Sequence, residues 1–107
     1  MKRGYKAEYE AKKKLIQMFS KSNIFKVAIG GAIDFFVLSP GENKVIKLVE
    51  VKTTKKKKWY PGIHDFKQFQ ILRKIEKEHK IPVEYWIKIK GKWHIFNLKE
   101  VKKFFSP

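Results

Sequence analysis

Three carboxylates and one lysine stand at positions that an ordinary protein surface does not explain. The chain carries 26 Lys and Arg against 10 Asp and Glu, a formal net charge of +16, so the place of each acid is informative. Glu8 falls near the middle of the apolar arc of a helical segment, with Leu15 seven residues on and almost directly below it. A carboxylate on a core-facing stripe is costly unless something binds it. The plain alternative is that Glu8 lies close enough to the helix start to reach solvent or a lysine. Asp34 opens the apolar run Ile33-Asp34-Phe35-Phe36-Val37-Leu38, and Glu50 lies near the end of Val45-Ile46-Lys47-Leu48-Val49-Glu50-Val51-Lys52. In a strand, successive side chains alternate faces, so Ile46, Leu48, Glu50 and Lys52 share one. A turn near Gly41 folds the second run back on the first and brings Asp34 opposite roughly Leu48, a diagonal neighbour of Glu50 at about 7–8 Å. Two carboxylates at that spacing repel, and a divalent cation between them removes the conflict. Hard oxygen ligands suit Mg2+ or Mn2+. The competing reading of Glu50-x-Lys52 is a surface ion pair at a frayed strand end.

The elements that must position these residues follow from periodicity and punctuation. Residues 4–20 predict a helix, with Ala7, Met18, Ala11, Leu15, Phe19, Tyr5, Ile16 and Tyr9 inside one arc of roughly 200°. A short strand is expected over 23–29, broken by Gly30-Gly31, and a second over 33–38. Ser39-Pro40-Gly41-Glu42-Asn43 marks a turn, so the strand over 44–52 returns antiparallel. A basic loop, 53–58, and the turn Trp59-Tyr60-Pro61-Gly62 lead to a second helix over 64–80, whose Phe66, Phe69, Ile71, Leu72 and Ile75 make a broad apolar face. Strands over 82–89 and 93–97 flank a hairpin turn at Lys90-Gly91-Lys92, and a short helix closes the chain over 98–105. The order is helix, meander, helix, hairpin, helix: a single α/β domain over residues 1–107, with a central mixed sheet flanked by helices.

Composition narrows the class of partner. The 43% of hydrophobic residues suffices for a core, so global disorder is excluded. The excess of positive charge repels itself and is relieved by a polyanion, which favours nucleic acid over the alternatives of a ribosome-associated or membrane-surface protein. With no cysteine, disulfides and zinc-thiolate sites are excluded, and the cytoplasm is the expected compartment. No apolar run has the length of a signal peptide or a membrane span. His64, His79 and His94 lack metal-ligand spacing.

An Asp opening one strand, a turn, and an apolar strand ending in Glu-x-Lys, with a Glu on the preceding helix, together resemble the PD-(D/E)XK nucleases. Ile33 stands where that group usually has Pro. The run Lys2-Arg3-Gly4-Tyr5-Lys6-Ala7-Glu8-Tyr9-Glu10 further resembles the opening of archaeal Holliday junction resolvases, in which a basic pair and Gly precede a helix with a catalytic Glu. The likeness runs on through Asp34, Glu50-Val51-Lys52, the Lys-rich loop, Tyr60 and Gly62, and the segment at Ile81-Pro82. It implies a restriction-endonuclease-like fold, a homodimer, and Mg2+-dependent cleavage of four-way DNA junctions leaving a 5′-phosphate and a 3′-hydroxyl. The expected metal ligands are Asp34, Glu50, the Val51 carbonyl and, directly or through water, Glu8. Lys52 would orient the attacking water or stabilise the transition state. Lys2, Arg3, Lys6, Lys55, Lys56, Lys57, Lys58 and Tyr60 are the expected DNA contacts.

The sequence departs from that family in the loop before Asp34. Where a basic residue and a Ser are usual, it reads Ala28-Ile29-Gly30-Gly31-Ala32, so either Ser22 or a partner-subunit residue substitutes or that contribution is missing. Trp59 and Tyr60 either stack on an unpaired base or anchor their loop, and anchoring is the favoured reading. Phe104 and Phe105 either pack against the core or a second subunit, or serve a sliding-clamp-binding tail with Leu98 in place of the usual Gln. The rival functions are a PD-(D/E)XK nuclease with another DNA substrate and a non-catalytic basic nucleic-acid-binding module.

Overall fold

A computed structural model describes residues 3–27, 33–42 and 44–105, without the side chain of Arg3. Helix α1 (Arg3–Phe19) ends where Asn23 Nδ2 donates to the Phe19 carbonyl at 2.6 Å and Ser20 turns to φ 74°. A single 3-10 turn (Lys21–Asn23) leads into β1 (Ile24–Lys26), followed by β2 (Phe35–Leu38) and β3 (Val45–Thr54). Helix α2 (Ile63–His79) crosses back to β4 (Val83–Ile89), and β5 (Lys92–Asn97) and α3 (Leu98–Val101) complete the order, with a last 3-10 turn at Lys102–Phe104.

The strands lie in sequence order in one mixed sheet. β1, β2 and β3 form an antiparallel meander, the α2 crossover makes β3 and β4 parallel, and β4–β5 is a hairpin. Lys90 and Gly91, at φ 50° and 83°, supply the two left-handed residues that its tight turn requires. The first strand is shorter than expected within the described residues, and residues 28–32 and Asn43 lie outside them.

Each face of the sheet has its own core. Against α1 pack Phe35, Val37, Val49, Val51 and Trp86; on the helix side Ala7, Ala11 and Leu15 are buried. The two small alanines let the helix lie close to the strands. Tyr5, Tyr9 and Met18, expected in the same apolar arc, are instead exposed, so the packed stripe is narrower than the arc. Against α2 pack Leu48, Val83, Tyr85 and Ile87 with Phe69 and Leu72. Phe66 and Ile71, expected on that face, are exposed. Trp59 is buried beside Tyr85, Phe104 and Phe105, which makes it the anchor of its loop. Phe105 stacks on Phe69 with centroids 4.6 Å apart, so the two terminal phenylalanines pack within the chain rather than standing free as a tail motif.

The β2–β3 register differs from the expected one. Phe36 pairs with Leu48 and Val37 with Lys47, but Leu38 pairs with Val45, so Ile46 is an extra residue in a β-bulge. The bulge turns Ile46 onto the α1 face, away from the face that Leu48 shares with Glu50 and Lys52. Asp34 lies two residues further along β3 than expected, beside Glu50 rather than Leu48; the bulge contributes one residue of that offset and the Leu38–Val45 pairing on the turn side the other.

Candidate functional site

The site forms where β2 begins, beside the middle of β3. The Asp34 backbone N–H donates to the Val49 carbonyl at 3.1 Å, and its Oδ2 accepts from the Val51 N–H at 2.7 Å. Asp34 is thereby clamped directly across from Glu50, closer than the diagonal spacing expected. Glu50 is only 4% exposed, the one buried charged residue among the described residues. Its Oε2 accepts from Gln68 Nε2 at 2.9 Å and lies 3.1 Å from Lys52 Nζ, while its buried Oε1 has no hydrogen-bond partner.

These carboxyls cannot both be ionised cheaply. Burial, then the charge of Asp34, pushes the Glu50 carboxyl up to about 8 against the opposing pull of Lys52. Asp34 is raised as well, by burial first; the Val51 N–H and Glu50 partly offset this, and Glu8 adds to it. Two crowded, largely desolvated carboxyls thus favour keeping a proton in the site near neutral pH. A hard divalent cation would replace that proton with a better partner. The unpartnered Glu50 Oε1 and the all-oxygen donor pair fit such an ion.

Glu8 joins this group from α1, half-buried, with Oε2 3.0 Å from Lys26 Nζ. It lies within hydrogen-bonding reach of Asp34, so the three acids form a chain from Glu8 to Asp34 to Glu50. Among the described residues no three His, Asp or Glu side chains converge as a metal-holding group. Glu8 contacts Lys26 and influences Asp34 from α1. The Val51 carbonyl leaves the strand on the same side as its N–H, towards Asp34.

Lys52 is held on two sides, 3.1 Å from Glu50 Oε2 and 3.0 Å from Asp65 Oδ1. Burial pulls its pKa down, but the two carboxylates outweigh it and hold the ammonium form above its ordinary range. Asp65 escaped the sequence reading. Its Oδ2 accepts from the Gly62 N–H at 2.8 Å, capping α2, while Oδ1 grips Lys52. Gly62 followed three residues later by an acid is the available signal, a helix-start pattern. Gln68 is one turn further along the same helix. Tyr85, paired with Glu50 across β3 and β4, points a buried, unpartnered hydroxyl into the same region. Burial, then the charges of Glu50 and Asp65, raises its pKa.

The basic residues spread around this centre. Lys6 and Lys55 to Lys58 are exposed, and the ammonium groups of Lys56 and Lys58 lie 5.4 and 5.9 Å from the centroid of the exposed Tyr60 ring. A broad hollow of about 710 Å3 lies between α1 and the ends of β3 and β4, lined among others by Lys6, Thr53, Thr54, Lys55, Lys88 and Lys90. Lys88 and Lys90 were not foreseen. Lys88 is already held by both oxygens of Glu10, at 2.7 and 2.9 Å, and that contact first of all lowers the Glu10 pKa. Lys2 and the side chain of Arg3 lie outside the described residues, as does the 28–32 loop. Ser22 bonds Ser20 at 3.3 Å and stands before Ile24, which pairs with Val37; Asp34 lies beyond the opposite end of that ladder, beside Val27. Ser22 therefore cannot stand in for a hydroxyl at the site.

The five-stranded mixed sheet, with α1 on one face and α2 on the other and an acidic pair at the β2–β3 junction, is a restriction-endonuclease-like fold. No protein-family model matches the chain, and no curated protein does. Among solved structures it is similar to Hjc of Archaeoglobus fulgidus, a Holliday junction resolvase from an archaeal hyperthermophile. The TM-score is 0.58 at 17% identity, over 92% of this chain and 75% of that one. The likeness establishes the fold. No helix among the described residues is long and apolar enough to cross a membrane.

Proposed function

We propose that this protein is a metal-dependent endodeoxyribonuclease that cuts branched DNA, the four-way junction foremost, as a homodimer acting in the cytoplasm. One observation carries the reading. A carboxyl pair whose buried member, Glu50, has an unpartnered oxygen, flanked by a doubly held lysine, sits in a chain of net charge +16. The resolvase-like fold supports the choice of substrate.

Asp34, Glu50 and the Val51 carbonyl would hold Mg2+ or Mn2+, with Glu8 linked through water. Such an ion supplies charge neutralisation at the scissile phosphate and a more acidic water. Lys52, kept as an ammonium by Glu50 and Asp65, orients the attacking water or offsets charge on the phosphate as it builds. Lys6, Lys55 to Lys58 and the hollow between α1 and the ends of β3 and β4 seat the phosphate backbone without reading sequence. Lys2 and Arg3 belong to the same proposed track. A four-way junction has near-twofold symmetry, so two subunits with one site each match paired nicks on opposing strands.

The test is a substrate series under Mg2+: four-way junction, flap, nicked duplex and linear duplex, alongside the mass of the complex in solution. Paired symmetric nicks in the junction by a dimer are expected. Equal cutting of linear duplex would leave a nuclease of another substrate, and salt-sensitive binding without cleavage would leave a binding module.

A further inference from the structure

We propose that Tyr5 and Tyr9 form a slot on α1 that grips one unpaired base of a DNA strand next to the scissile phosphate. The inference rests on the nuclease reading above and adds to it a residue pair that selects for unpaired DNA.

The two tyrosines lie one helical turn apart, so their rings share a face of α1. They are 58% and 55% exposed and belong to neither core. Single exposed aromatics are common, but two adjacent rings framing a cavity are not explained by folding. That cavity, about 140 Å3, is lined by Tyr5, Glu8, Tyr9, Lys12, Lys26 and Phe35. Its floor is the buried Phe35, the residue next to Asp34, and its wall includes Glu8, which reaches Asp34 in turn. A flat apolar ring placed there has tyrosine on its sides and the carboxylate chain at its end.

Charge decides what that ring belongs to. The Lys26 ammonium lies 5.7 Å from the centroid of Tyr5, and the Lys13 ammonium 5.2 Å from that of Tyr9. Of the cations nearby, Lys12 and Lys26 line the slot itself, Lys26 paired with Glu8, so the aromatic lining carries a net positive charge. That combination suits a nucleobase attached to a phosphodiester and is wrong for a wholly apolar ligand. A base inside a duplex has both faces covered by its neighbours and cannot enter. A base freed at a branch or gap can, and its own phosphate then lies towards Asp34 and Glu50. The slot thus favours unpaired DNA through stacking, whereas the surrounding lysines attract paired and unpaired strands alike.

The experiment measures binding in EDTA, so its outcome does not depend on cleavage. Wild type, Tyr5→Ala/Tyr9→Ala and Tyr5→Phe/Tyr9→Phe are titrated with an oligo-dT strand, the same strand with abasic sugars, and a linear duplex. Thermal melting checks each fold, which these exposed positions should leave intact. The alanine variant is expected to lose roughly 10-fold or more in affinity for oligo-dT relative to duplex. The phenylalanine variant should retain it, and wild type should bind the abasic strand as weakly as the alanine variant binds oligo-dT. Equal losses on oligo-dT and duplex, or none on either, would overturn the slot. A parallel Mg2+ cleavage assay on the junction reports separately on the nuclease reading: an inactive wild type with an intact stacking preference would sink that reading alone.

Discussion

Replacing Glu50 by Gln should make the metal-free protein more stable at alkaline pH, although it removes an ion pair to Lys52. Burial and Asp34 carry the Glu50 carboxyl from an ordinary 4.5 up to about 8. The folded pKa lies above the unfolded one, so the fold favours the protonated form. That stability is complete below about pH 4.5 and is lost as pH rises through about 8. By pH 9 the loss has a ceiling on the order of 5 kcal/mol, reduced in practice by relaxation around the carboxylate. Asp34, raised in the same direction, adds to the trend. Glutamine has nearly the same shape, can still accept from Gln68, and cannot ionise. Taking a conservative 2 kcal/mol, its melting temperature at pH 8.5 in EDTA should exceed that of wild type by roughly 10 °C. The gap should close near pH 5, and the wild type minus variant difference cancels titrations elsewhere. Millimolar Mg2+ or Mn2+ should reverse the order at pH 8.5, because only the carboxylate gains a cation. Calorimetry in EDTA across pH 5–9 reads this directly. A wild type minus variant difference that does not turn against wild type as pH rises over that range, or a Gln variant less stable at pH 8.5, would refute the reasoning.

Other predictions come from neighbouring contacts. Asp65→Asn keeps an oxygen for the Gly62 N–H but loses the charge on Lys52. Single-turnover cleavage should slow about 10-fold or more with junction affinity unchanged, and Asp65→Ala should also lower the melting temperature. Tyr85→Phe removes a buried hydroxyl that has no partner, so stability measured by denaturant titration should be unchanged or higher by about 1 kcal/mol. Junction affinity should fall by roughly 10³-fold or more between 50 and 200 mM salt if six or more phosphates are neutralised, which filter binding would measure.

Much of the site could be read in advance because its parts are local. Glu8 on a helical stripe, Asp34 at a strand start and Glu50-x-Lys52 at a strand end need only periodicity and one turn signal. What escaped depends on long-range or sub-residue geometry. The turn and the β-bulge at Ile46 each moved the pairing by one residue, and nothing in Val45-Ile46-Lys47 announces the bulge. The Glu10–Lys88 pair joins residues 78 apart in sequence, and no pattern read along one element reveals it. Tyr5 and Tyr9 fell within the calculated arc, but Ala7 and Ala11 draw α1 so close to the sheet that only a narrow stripe is covered. Asp65 was within reach of the sequence as a helix-start residue; its second oxygen on Lys52 was not, because that contact appears only once α2 docks against β3.

The central claim is that Asp34 and Glu50 make a divalent-metal site that hydrolyses DNA. The most direct test is cleavage of an end-labelled four-way junction by wild type and Asp34→Ala, each in Mg2+ and in EDTA, with binding followed in parallel. Wild type is expected to nick the junction only with Mg2+, while Asp34→Ala binds it comparably and cuts almost none. Normal cutting by Asp34→Ala, or by wild type in EDTA, would contradict the account.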